Sequence, residues 1–134
     1  MAFTCVDEIV ISGGNFEDRS AAAAIFIAAD YGSEALDANA VESLDDGSLR
    51  IIFKSVDTIP EEIARLVAGQ FPELDILLVY VSIDGEFCGF LRARGSSVTE
   101  GSEDFPEGKR EELEGFLAKE ALEYARNCFT ADLR

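Results

Sequence analysis

The residue types that usually do chemistry are thinly spread in this chain. It contains no histidine, the commonest general base and metal ligand near neutral pH. Cys5, Cys88 and Cys128 are odd in number and far apart, with no CxxC spacing. They read as reduced core thiols rather than a disulfide framework, and Cys88 lacks the basic neighbours that lower a thiol pKa. Ser12, Ser96 and Ser97 stand outside any GxSxG context. Gly13-Gly14 before a helical pattern could cradle phosphate, but Glu17 and Asp18 in the first turn would repel it; a tight strand-to-helix turn is expected instead. DANAVESLDDG (37–47) carries carboxylates for a hard cation without the ligand order or closing glutamate of an EF-hand. Without histidine or a thiolate pair, a structural transition-metal site is not expected. The residues suggest no catalytic constellation, no metal and no cofactor, and an enzyme built on a carboxylate pair is the weakest of three readings.

What stands out is charge. Twenty-seven acids against eleven bases give a net charge of −16. Direct binding to nucleic acid or to an anionic membrane is therefore not expected, because neutralising phosphate needs lysine and arginine. The acids are also unevenly placed. Asp30, Glu34, Asp37, Glu42, Asp45 and Asp46 lie between Arg19 and Arg50 with no base among them. Glu100, Glu103, Asp104 and Glu107 lie in the same way between Arg94 and Lys109. Such rows make a strong negative field that speeds encounter with a basic partner and resembles spaced phosphates. Three plainer origins compete with that reading: a solubilising surface, a high-salt habitat (only three lysines are present), and genomic base composition.

These acids must be carried by a single domain over residues 1–134, long enough for a real core. A hydrophobic fraction of 48% is too high for a disordered acidic tail. No apolar run approaches the roughly 20 residues of a membrane span. MAFTCVDEIV lacks a basic signal-peptide start, so a cytoplasmic location is expected.

Along the chain, strands and helices alternate. CVDEIVIS (5–12) reads as a strand interrupted by Asp7-Glu8. Asn15 caps a helix, with Asp18 three residues on, that runs to Tyr31 and ends at Gly32; its alanine-rich centre predicts burial almost all round. A short strand near Ala40–Leu44 forms a hairpin with the strand 48–56. Thr58, Pro60 and Glu61 suggest a capping-box start for a helix to about Gln70, with Ile63, Leu66 and Val67 on one face. Asp84-Gly85 is a two-residue hairpin signal, favoured where both positions tolerate positive φ. It sets Val79 opposite Phe90, Tyr80 opposite Gly89 and Val81 opposite Cys88, in a ribbon apolar on both faces. Residues 95–104 read as a flexible loop. A last helix starts around Asp104, Pro106 and Glu107, with Leu113, Phe116, Leu117, Ala121, Tyr124, Ala125 and Cys128 on one face. Gly115 within it costs about 1 kcal/mol relative to alanine and suggests close packing.

The order β-α-β-β-α-β-β-α predicts an α+β protein: a ferredoxin-like split βαβ antiparallel sheet with an extra hairpin strand and a C-terminal helix. That helix should cover the sheet face opposite the other two. The segment 59–95 also resembles the YubB ferredoxin-like domain family. The similarity rests on Pro60, the junction Gln70-Phe71-Pro72-Glu73-Leu74, Tyr80 in a strand, and Phe87-Cys88-Gly89 after a short turn. The tryptophan-rich stretches of that family have no counterpart here, since the chain has no tryptophan, so no role tied to them carries over. The resemblance implies a plasmid or phage accessory protein rather than a particular activity.

Charge and resemblance together give the leading expectation: a non-enzymatic protein of a mobile element that binds and inhibits a basic, nucleic-acid-binding host defence complex of CRISPR or restriction type, by nucleic-acid mimicry. The alternative is an interaction or dimerisation module, a homo-oligomer, that uses the hairpin and the last helix.

Overall fold

The computed structural model describes residues 3–33 and 35–133. Ten elements are ordered β1 (Thr4–Gly13), α1 (Phe16–Ala28), β2 (Val41–Ser43), β3 (Leu49–Val56), α2 (Glu61–Gln70), β4 (Leu74–Ser82), β5 (Phe87–Arg94), β6 (Ser97–Asp104), α3 (Lys109–Leu113) and α4 (Ala118–Cys128), with a 3-10 turn at Ala38–Ala40. The strands form one antiparallel sheet in the order β2-β3-β1-β4-β5-β6. Its first four strands have the interleaved order that split βαβ units produce, so the fold is α+β and ferredoxin-like. β5 and β6 extend the β4 edge as a meander.

Alternation along the central strands sends side chains into two cores. Ile9, Ile11, Ile51, Ile76, Leu78 and Leu91 meet α1 and α2 on one face. Val79, Val81, Cys88 and Phe90 meet Ala121, Leu122, Ala125 and Phe129 on the other. The C-terminal helix therefore covers the second face, as a hairpin apolar on both sides requires. Tyr80 lies opposite Gly89, Val79 opposite Phe90 and Val81 opposite Cys88.

The turn between β4 and β5 differs from expectation in its backbone. Ser82 pairs with Phe87, and the positive φ falls at Glu86 (φ 59), not at Asp84 or Gly85. The loop is a four-residue turn, and Gly85 is there for space. A Cβ at Gly85 would lie 2.6 Å from the Phe87 ring and 2.7 Å from Ser82 Oγ. Asp84 accepts the Thr4 N–H at 3.1 Å and the Ser82 hydroxyl at 2.8 Å, which ties the turn to the start of β1.

Helix ends account for most of the remaining differences. Asn15 caps α1 by accepting the Asp18 N–H at 2.8 Å; Asn15→Ala should cost about 1 kcal/mol in a chemical denaturation. The helix stops at Ala28 instead of reaching Tyr31. Tyr31 instead turns inward, its ring 4.4 Å from that of Phe53 and its carbonyl accepting the Val56 N–H. α1 is also not buried all round. Only Ala22, Ala23 and Phe26 are buried, because the helix touches the sheet along one face. α2 begins without the expected Thr58 cap, since Pro60 occupies the capping position with no side-chain bond. Leu66 is exposed and Ala64, Val67 and Ala68 form the buried face.

The largest differences lie after β5. Residues expected to be a loop form β6, paired with β5 from Phe87–Asp104 to Arg94–Ser97 through a turn in which Gly95 has φ +59. β6 is almost entirely exposed, so it carries no hydrophobic period. What holds it is the row of backbone donors and acceptors that β5 would otherwise leave unpaired. The expected last helix is two helices. Gly115 takes φ +93 just past the end of α3, with open space where a Cβ would sit. It is therefore a left-handed helix terminator, and close packing plays no part. The break leaves Phe116 42% and Leu117 71% exposed, and puts Leu122 rather than either of them in the core.

Candidate functional site: acidic rows on opposite sheet edges

Sheet order decides how the two acidic rows relate. Residues 30–46 border β2, and Glu100, Glu103 and Asp104 lie on β6, so the rows occupy the two outermost edges of the sheet. Five strand spacings of about 4.8 Å put them roughly 24 Å apart. They make two separate surfaces.

The β2 row is held by local turns. Asp30 accepts the Gly32 N–H at 2.9 Å, Asp37 the Asn39 N–H at 2.8 Å and Asp46 the Ser48 N–H at 2.9 Å. Each is an aspartate bonding its own backbone two residues on, the short-range bond that makes Asp a turn former. The bond to Ser48 is the main reason that the Asp46 carboxyl sits below its ordinary pKa, with Arg19 adding a smaller pull. Asp45 is exposed. Glu42 pairs with Arg50 at 2.8 Å. Among the described residues, Asp30, Asp37, Asp45 and Asp46 make no ion pair. Gly32 lies against Val56 and Asp46 sits just before β3 begins, so the row follows the length of β3, about 24 Å of strand. Glu34 lies outside the described residues.

The β6 row is less uniform. Glu100 points toward α2 and pairs with Arg65, which also lies 3.9 Å from Glu61. Glu103 faces the opposite side and stands beside the thiols of Cys88 and Cys128. Asp104 and Glu107 are exposed. Period-two alternation thus divides this row between the two faces of the sheet.

Two acids that sequence reasoning took only as a break in a strand prove to be central. β1 is continuous, and Asp7 and Glu8 are buried on its opposite faces. Glu8 accepts from Arg126 of α4 at 2.6 Å and lies 3.9 Å from Arg50, a charge-assisted bond that docks the last helix. Among the described residues, Asp7 accepts only the Ser55 hydroxyl, at 2.7 Å, and its Oδ1 has no hydrogen-bond partner. Burial pushes the Asp7 carboxyl up from 3.8 to about 7, against a smaller lowering by Ser55. The signal available in the sequence was two adjacent acids in an apolar strand, which alternation must place on opposite faces.

An open cleft of about 800 Å³ lies between the end of α1 and the start of α2, with Tyr31, Pro60, Glu61 and Arg65 in its lining. Tyr31 donates to the Phe26 carbonyl, and burial raises its phenol far above the ordinary range. Glu61 is raised first by burial and then by Glu100. Comparison with protein families, with curated proteins and with solved structures finds no match to this chain.

Proposed function

We propose that this chain is a non-enzymatic binding protein that sets a fixed row of carboxylates against a basic surface of another protein, one that otherwise holds nucleic acid. The observation that carries the reading is the β2 edge: exposed aspartates that make no ion pair among the described residues, three of them oriented by their own backbone. A carboxylate already oriented loses less freedom on meeting lysine or arginine than a mobile one. A net charge of −16 steers encounter with a cationic partner over long range. The resemblance over residues 59–95 supplies the setting of a mobile element in a bacterium, and with it a CRISPR or restriction complex of the host as the expected target.

Glu42→Lys, Asp45→Lys and Asp46→Lys together test this. Captured from bacterial lysate, the partners of the wild type should be nucleic-acid-binding proteins displaced by added duplex DNA and by salt. The triple variant, checked for folding by circular dichroism, should bind them more than about tenfold more weakly. Partners without nucleic-acid-binding activity, or equal binding by the variant, would sink the proposal.

A second reading, self-association, has its own support in the exposed Phe116 and Leu117 between α3 and α4. The β4–β5 hairpin offers it less, because its edges pair with β1 and β6 and its strand faces pack into the two cores. Light scattering separates the two, since an apolar dimer persists in high salt and an acidic contact does not.

A further inference from the structure

Cys88 and Cys128 are separated by forty positions in the chain, and the fold brings them together. Cys88 points from β5 into the core under α4, and Cys128 is the last residue of that helix. Glu103 is the cross-strand partner of Cys88 on β6 and faces the same side. Both sulfurs and one Glu103 carboxylate oxygen lie within 4.8 Å of one another. We propose that Cys88, Cys128 and Glu103 form a binding site for a thiophilic divalent cation of the zinc class.

The donor set and its spacing carry the proposal. Two thiolates and a carboxylate suit Zn²⁺, whose bonds of about 2.3 Å to sulfur and 2.1 Å to oxygen put tetrahedral ligand atoms about 3.6–3.8 Å apart. The three donors need to close by only about 1 Å to reach that geometry. They come from three different elements, so a bound ion would join β5, the exposed edge strand β6 and the C-terminal end of α4. Glu103 makes no ion pair among the described residues. The nearby Lys109 is engaged with Glu112 at 2.9 Å and lies over the Tyr124 ring, 5.0 Å from its centre. Tyr124 stands one turn before Cys128 on α4 and packs against the same core cluster. Glu103 and Cys128 are not fully buried, which gives the ion an entry path and leaves water as the fourth ligand. Binding replaces two S–H bonds by metal–sulfur bonds and releases both protons to solvent. Cys5 belongs to the opposite side of the sheet, beside Asp7 and Ser55, and takes no part. Glu103 on this view serves the fold rather than a partner, so the site stands or falls apart from the acidic β2 edge.

Titrating the reduced, metal-free protein with Cd²⁺ and with Co²⁺ tests the assignment. One equivalent should produce ultraviolet thiolate-to-metal charge-transfer absorption, and Zn²⁺ should compete it away and raise the melting temperature. Cys128→Ser, at a half-buried position, should abolish both effects, and Glu103→Gln should weaken binding about tenfold or more. Cys5→Ala should change neither. Absence of the charge-transfer band in the folded wild type, or its persistence in Cys128→Ser, overturns the proposal.

Discussion

Raising the pH from about 4 to about 8 is expected to remove about 4 kcal/mol of stability from the wild type relative to its Asp7→Asn variant. Asp7 is fully buried, and among the described residues its carboxyl accepts one hydrogen bond, from Ser55. Its neutral form is favoured, and its pKa rises from 3.8 to about 7. A raised folded-state pKa means that the native protein holds the proton more tightly than the unfolded chain. The stabilisation is fully present below about pH 4, falls through the interval, and is gone above about pH 7. There the native state must hold a desolvated carboxylate or unfold. The asparagine variant keeps the shape without the titration, so subtracting its urea-denaturation profile removes the contributions of the other acids. Parallel profiles for the two proteins would count against this account of Asp7. The direction is unusual for an acidic protein, in which carboxylates paired in the native state normally make acid the destabilising condition.

Gly89→Ala is expected to cost about 3 kcal/mol, the upper part of the range for overpacking. The tyrosine ring of Tyr80 lies across Gly89 on the neighbouring strand, and an added Cβ would meet its phenol carbon and oxygen. The ring can give way in part, but the Gly101 carbonyl, 2.7 Å from the same point, is backbone of β6. Relief therefore requires the edge strand to move off β5, with loss of ladder hydrogen bonds. Tyr80→Phe removes the nearest of these atoms, so the double variant should recover about 1 kcal/mol relative to additivity. Denaturation midpoints of the four proteins measure this, and an unchanged midpoint for Gly89→Ala would show that the strands have slack.

The contrast between these residues shows what could be read in advance. Asp84-Gly85 predicts the hairpin register correctly, because the strand period of two leaves one alignment that puts apolar side chains against cores on both faces. It does not predict the turn backbone, where the left-handed residue is Glu86. Gly115 stands out in the sequence without declaring its role, since a glycine that ends one helix and a glycine packed inside another look alike in a row of letters. β6 left no apolar pattern to find, because pairing with a neighbour created it.

The acidic rows follow the same division. Their composition, their freedom from bases and the negative field they generate belong to the sequence alone, as do the ferredoxin-like order of elements and the two-sided hairpin. Local chemistry decides these things, through side-chain period, turn residues and charge. Tertiary structure decided that the rows lie on opposite edges of the sheet, that both faces of β1 are covered so that Asp7 and Glu8 are each buried, and that two distant thiols meet Glu103. Those outcomes depend on which strands become neighbours and which helix closes each face. Such contacts join residues far apart in the chain, and no local pattern records them.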